Sequence, residues 1–298
     1  MQLLWTPSFS VSALHAAEAI VAFPKQITDA SFVEAIGSFS TYLGQWSMTA
    51  GLMDSSRFWP TLIATAAEIE SNYELVEITL RKCGRSTDST TITSLAGRVT
   101  DIEAAYKQMF PKFEEQIGFR LRPLQDQWLG YGAGLMAHVS RLTEKRLLVG
   151  EARIIPVQPV LGGYGYAHIQ NNIARIEAVL TNPLAELPEV VRLAWLVSQL
   201  NLDVPVFSET LGQQTLQRLA PLAMLPPVLA AAQVVEQSSC TSEMAALAIE
   251  HWHIPVPLDA SVQDDIAPTL MDWWETYLQT RPEWHIAMQA LSKMLLSP

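Results

Sequence analysis

The sequence is poor in charged residues, and basic residues are the scarcer of the two signs. Charged side chains make up 16% of its 298 residues, and the formal net charge is -11. Proteins that bind nucleic acid nonspecifically neutralise phosphates with clustered lysine and arginine. We therefore expect no nucleic-acid partner for a chain this acidic.

Cysteine is also scarce, and long apolar runs are absent. Cys83 and Cys240 are the two cysteines, which is too few for a disulfide framework or a cysteine-based zinc site. The strongly apolar, uncharged run 219–235 is short for a membrane span and is interrupted by three prolines. Residues 1–7 have no basic segment of the kind that opens a signal peptide. These absences predict a soluble, cytoplasmic protein with no membrane span.

Apolar residues, in contrast, are abundant at 49% of the chain, and they recur every three or four positions as in amphipathic helices. Asp29 can cap a helix whose apolar stripe runs through 32–46. Pro60 suits the first turn of a second helix, which ends near Gly84. The serine- and threonine-rich stretch 85–94 predicts a loop. Further helices are predicted at about 95–109, 188–200, 209–219, 225–236, 242–251, 267–280 and 283–296.

The middle of the chain has a different pattern. The segments 153–158 and 173–180 are rich in β-branched residues and flank the glycines of the run 162–165. This predicts two short strands joined by a glycine turn, and the fold class is therefore mostly α with a small central β-element (α+β) in a multi-helix architecture. We expect an N-terminal helical region at 1–110 and a region of β-element and C-terminal helices at 111–298, with one continuous domain as the alternative.

The glycine run 162–165 superficially resembles a phosphate-binding loop. A Walker loop ends in a lysine followed by serine or threonine, and a dinucleotide-binding fingerprint lies between a strand and a helix. Neither condition is met, because the next predicted element is a strand. We therefore predict a hairpin turn and no cofactor.

Seven polar residues form the candidate binding site. They lie on or beside the predicted strand 173–180 and the helix that follows it: His168, Asn172, Arg175, Glu177, Glu189, Arg192 and Gln199. Strand alternation puts Arg175 and Glu177 on one face, and helical spacing puts Glu189 and Arg192 on one stripe of an apolar helix. Buried charges must be paired or hydrated. The pattern therefore indicates either a buried ion-pair network or a polar-lined pocket, with no assembled catalytic group.

One pair of histidines raises the question of a metal site. His251 and His253 lie next to Glu250, but zinc needs a further ligand in reach. Only Asp259 or Asp264 could supply it, by folding back towards the histidines. We predict no bound metal.

Two resemblances add to this picture. The segments 120–128 (RLRPLQDQW), 161–168 (LGGYGYAH), 175–183 (RIEAVLTNP) and 187–201 (LPEVVRLAWLVSQLN) resemble a bacterial family of uncharacterised proteins, which implies no activity. The order of strand, turn and buried helix is similar to zincin metallopeptidases, whose active helix carries His-Glu-x-x-His. The comparable positions 195–199 read Trp-Leu-Val-Ser-Gln, so the resemblance implies a relic that cannot bind zinc in that way.

Three functions follow from these patterns. The first is a noncatalytic binding or assembly module with a protein partner or with self-association, which the low charge and apolar helices favour. The second is an enzyme whose metal-independent polar pocket uses Arg175, Glu177, Arg192 and His168 on a small anionic or sugar-like substrate. The third is a catalytically dead scaffold resembling a metallopeptidase.

Overall fold

The computed structural model describes residues 1–52, 55–85, 88–256 and 266–296. Helix accounts for 66% of these residues, and four short strands form one small sheet. The predicted fold class, mostly α with a small β-element, is confirmed.

The chain divides into two compact units. One, called the helical unit, consists of Thr6–Arg120 and Ile155–Gly162, and the other, called the sheet unit, consists of Met1–Trp5, Leu121–Ile154 and Gly163–Pro298. Both units are therefore assembled from segments that are distant in sequence. The predicted domain boundary at residue 110 stays a prediction.

The helical unit is built from the first helices of the chain. They are α1 (Phe9–Ala22), α2 (Ala30–Thr49), α3 (Phe58–Ala66), α4 (Asn72–Lys82), α5 (Ser89–Met109) and the first part of α6 (Phe113–Gln127). The predicted start of α2 is confirmed, because the Asp29 carboxylate accepts a hydrogen bond from the Ser31 N–H at 2.9 Å. The segment 155–162 belongs here as well, since the Gln158 N–H donates to the Ser12 hydroxyl at 2.9 Å.

Two predictions for this unit are wrong. The single helix expected from Pro60 to Gly84 is two helices, because the Ser71 hydroxyl caps α4 by accepting from the Glu74 N–H at 3.4 Å. The loop expected at 85–94 is helical from Ser89 onwards, since Asp88 caps α5 by accepting from the Thr91 N–H at 2.9 Å. Residues 86 and 87 of that loop lie outside the described residues. Polar capping residues inside apolar patterns thus set these boundaries.

The sheet has the strand order β1-β2-β4-β3. Its strands are β1 (Gln2–Trp5), β2 (Glu151–Val157), β3 (Gly165–His168) and β4 (Ile173–Glu177). Strand β1 runs parallel to β2, with Gln2 opposite Glu151. Strand β3 runs antiparallel to β4, with Tyr166 opposite Arg175.

The two predicted central strands exist, but the predicted glycine hairpin between them is wrong. Gly165 begins strand β3, which lies between β2 and β4 along the chain but at the edge of the sheet. The reversal from β3 to β4 is made by 169–172, where Asn172 has a φ of 53°. Strand β4 also ends at Glu177, before the predicted end at Leu180.

The rest of the sheet unit is helical. After α6 comes a π-helical turn (Trp128–Gly132), followed by α7 (Ala133–Leu142), α8 (Glu189–Ser198), α9 (Pro205–Leu211), α10 (Gln213–Ala223), α11 (Leu225–Val234), α12 (Ser242–His251), α13 (Ile266–Thr280) and α14 (Trp284–Leu295). All ten residues of α8 are buried, and this helix packs against β3, β4, α7 and α11.

The helix predicted at 209–219 is wrong, because Gly212, with a φ of 75°, separates α9 from α10. None of the described helices has both the length and the apolarity needed to cross a bilayer.

Candidate functional site

Four of the seven candidate residues come together around Tyr164 in the sheet unit. We call Tyr164, Arg175, Glu177, Glu189 and Arg192 the buried polar cluster. Strand β4 supplies Arg175 and Glu177, and the first turn of α8 supplies Glu189 and Arg192. Arg175, Glu177 and Arg192 have no exposed surface, and Glu189 is 7% exposed. Charges this deeply buried need internal partners.

Glu177 meets the backbone of the glycine run. Its Oε2 atom accepts hydrogen bonds from the N–H groups of Gly163 at 2.9 Å and Tyr164 at 3.2 Å. Consecutive backbone N–H groups of this kind bind anions, and the anion here is a side chain of the same protein. Gly163 must lack a side chain, because a Cβ there would lie 2.2 Å from the carbonyl oxygen of His251. The glycine run therefore surrounds an internal carboxylate.

Arg192 links three segments of the sheet unit. Its Nη1 donates to the Tyr164 carbonyl at 3.2 Å, and its Nη2 donates to the Glu177 carbonyl at 2.7 Å. The same Nη2 forms an ion pair with Glu189 one turn earlier on α8. Burial raises the pKa of Glu189, and the positive charge of Arg192 opposes that shift. This guanidinium therefore fixes the position of α8 relative to the end of β4.

Arg175 contacts two aromatic rings. Its guanidinium carbon is 5.3 Å from the ring centre of Tyr164 and 5.3 Å from that of Tyr166. Its Nη2 also donates to the Tyr164 hydroxyl at 3.3 Å. Cation–π contacts are strongest where water is excluded, so these rings stabilise the buried charge.

The other three candidates make contacts outside the hydrogen bonds described above. His168 is buried at the end of β3, with its ring 4.8 Å from that of Tyr166. Asn172 is exposed in the β3–β4 turn, where its side-chain amide donates to the Glu151 carbonyl at 2.8 Å. Gln199 follows the last residue of α8 and donates to the Trp195 carbonyl at 2.9 Å.

The histidine pair adjoins the glycine run. His251 is the last residue of α12, and the ring of His253 meets the Tyr164 ring edge-on at 6.2 Å. Burial lowers the pKa of His253, and the negative charge of Glu177 opposes that shift. The aspartates proposed as further metal ligands, Asp259 and Asp264, lie outside the described residues. Within the described part of the chain, no group of three or more potential ligands is positioned to hold a metal ion.

Sequence reasoning missed an open apolar groove on the sheet unit, which we call the α7 groove. It has a volume of about 520 Å³ and is lined chiefly by the π-helical turn, α7 and the segment 145–149. Lys145 is the charged residue in its lining. Leu129, another lining residue, is 82% exposed. The signal in the sequence was the pair Trp128 and Leu129 followed by small residues on α7.

The π-helical turn shapes this groove. A Cβ on Gly132 would lie 2.5 Å from the Trp128 ring, so the glycine allows the indole to lie against its own helix. One face of α7 then presents Ala133, Met136 and Ala137 to the groove. Single π-helical turns within α-helices occur frequently at functional sites.

Comparison of the chain with protein-family models, with curated proteins and with solved structures finds no match. The resemblances to an uncharacterised bacterial family and to zincins therefore stay predictions.

Proposed function

We propose that the protein is a noncatalytic binding module and that the α7 groove is its binding surface. The observation that carries the proposal is a contrast in exposure. The charged candidate residues are enclosed by their own chain, whereas apolar side chains of the α7 groove face solvent. The cytoplasmic location and the protein partner or self-association expected from the sequence are proposed as well, with neither partner assigned to this groove.

The burial of the polar cluster supports a structural role for its charges. A substrate must touch the groups that bind or transform it, and Arg175, Glu177 and Arg192 have no exposed surface. Their hydrogen bonds include bonds to Tyr164, to Glu189 and to backbone groups of the glycine run and β4. These contacts hold β4, the glycine run and α8 together. The charges therefore have a structural role in this proposal.

The exposure of the α7 groove supports a role in binding. Covering a fully exposed leucine is worth about 1.5 to 3 kcal/mol, and Leu129 is 82% exposed beside Trp128 and Met136. A ligand or partner that covers this surface therefore gains free energy that water does not supply. Concave apolar sites with a few polar groups are the usual form of ligand sites.

The neutral dye Nile red tests this proposal, since its fluorescence rises in apolar surroundings. We expect wild-type protein to bind the dye and Ala137→Trp, which fills the groove from an exposed position of α7, to bind it at least about tenfold more weakly. Ala246→Trp is the matched control, because Ala246 is an exposed alanine on α12 outside the groove. Equal binding by all three proteins would contradict the proposal.

A further inference from the structure

We propose that the α7 groove binds an amphipathic carboxylate, that is, a small molecule with an alkyl chain and one anionic head group. Lys145 receives the head group, and the apolar lining receives the chain. This inference rests on the proposed function, to which it adds the chemical class of the ligand.

The size of the groove favours a small molecule over a protein. Eleven residues line it, whereas a stable protein–protein interface uses roughly 20 to 30 residues on each side. Its volume of about 520 Å³ lies within the roughly 300 to 1,000 Å³ typical of small-molecule sites. A ligand with one extended chain fits a groove that follows one helix face.

The lining of the groove provides for an alkyl chain. Ala133 and Ala137 are one helical turn apart on α7, and the largely buried Met136 also lines the groove. Trp128 and Leu148 also line the groove. Because the two alanines are small and exposed, a chain can approach the helix backbone closely.

The charge of the groove selects the head group. Lys145 is the one ionisable side chain of the lining, which contains no aspartate or glutamate. Its neighbour Arg146 is paired with Glu144, whereas Lys145 forms no ion pair with any described residue. Since the whole chain carries a net charge of -11, an anion is held by this local cation and not by the overall field.

A second groove has no charged residue in its lining and serves as a comparison for the role of Lys145. It lies in the helical unit, has a similar volume of about 550 Å³ and is lined by Ile20, Val33, Tyr42 and other uncharged residues. Nothing in that lining distinguishes an anionic ligand from a neutral one. The α7 groove does so through the ammonium group of Lys145.

Isothermal titration calorimetry on the full chain tests the proposal with decanoate, decanol and decyltrimethylammonium below their micellar concentrations. We expect wild-type protein to bind decanoate most tightly of the three. Lys145→Met should weaken decanoate binding by about two- to fivefold, as expected for loss of an exposed ion pair, and leave decanol binding unchanged. Lys107→Met, at an exposed lysine of the helical unit, is the control and should bind like wild type.

The outcomes separate this inference from the proposed function. If Ala137→Trp weakens binding of decanoate and decanol but Lys145→Met changes neither, the groove stands as a binding surface and the carboxylate assignment is overturned. Binding of Nile red without binding of any of the three amphiphiles overturns it equally. If Ala137→Trp binds decanoate as wild type does, both proposals fail. Should Ala137→Trp not fold, Ala133→Trp, also at an exposed alanine of the groove, takes its place.

Discussion

The carboxylate of Glu177 accepts hydrogen bonds from the backbone N–H groups of Gly163 and Tyr164, which are buried. In Glu177→Ala these N–H groups stay buried without that acceptor, and we expect the free energy of unfolding to fall by about 3 to 5 kcal/mol. Glu177→Gln keeps one side-chain oxygen, so its loss should be about half as large. Urea unfolding measures both.

Glu275→Ala is the control for this prediction. Glu275 is an exposed residue of α13 in the same unit, and exposed substitutions usually change stability by no more than about 0.5 kcal/mol. If Glu177→Ala matched this control, the structural role assigned to the buried polar cluster would be wrong.

His253 should make stability depend on pH. Because its folded-state pKa lies below the usual 6.5, the unfolded chain takes up a proton first as the pH falls. The stability that neutral His253 contributes is therefore present above pH 6.5 and is lost as the pH falls below it. His253→Asn removes the titration, and asparagine tolerates the φ of 53° at this position.

Urea unfolding at several values between pH 7.5 and pH 5 measures this difference. We expect stability to fall less steeply with acidification in His253→Asn than in wild type. The same slope in both proteins would show that His253 does not titrate differently in the folded state.

The sequence predicted the residue types of the buried polar cluster but not its contacts. Alternation along β4 and helical spacing along α8 were sufficient to select Arg175, Glu177, Glu189 and Arg192. The two N–H groups that bind Glu177 belong to a loop whose path depends on β3 and on the end of α12. Local patterns carry no information on such a path, so the anion held by the glycine run was not predictable from them.

Capping decides where the helices of the helical unit begin. Ser71→Ala removes the hydroxyl that accepts from the Glu74 N–H, and such losses typically lower stability by about 1 kcal/mol.

Gly97→Ala should act in the opposite direction by about 0.5 to 1 kcal/mol, because alanine favours the helix and a Cβ there meets nothing within 4 Å. Thermal melts of the two variants should shift to opposite sides of wild type. A shift of the same sign would contradict this account of α4 and α5.

The elements that the sequence predicted well are those with both a cap and a long apolar pattern. Helices α2 and α8 were found because Asp29 and Pro188 precede their apolar stripes. Strands β1 and β3 were missed because each has only four residues, too few for a periodic signal. In addition, β1 pairs with residues that begin at Glu151, and sequence patterns do not record such distant pairing.

At the scale of the whole molecule, charge and exposed apolar surface oppose each other. A net charge of -11 repels a second copy at low ionic strength, and salt weakens that repulsion as the Debye length falls from about 30 Å at 0.01 M to about 8 Å at 0.15 M. We therefore expect the self-association predicted from the sequence to increase with salt. Light scattering should show a mass rising above the 33.0 kDa of one chain. A strict monomer at high protein concentration and high salt would contradict it.

The parallel pairing of β1 with β2 has a consequence for the protein while it is being translated. The four residues Gln2–Trp5 are made before the helical unit, but the strand that pairs with them begins at Glu151. At roughly 5 to 20 residues per second, a ribosome needs about 7 to 30 s to reach that partner. Over this interval the nascent chain carries a short, uncharged strand with no neighbour, so the sheet forms only after most of the helical unit has been synthesised.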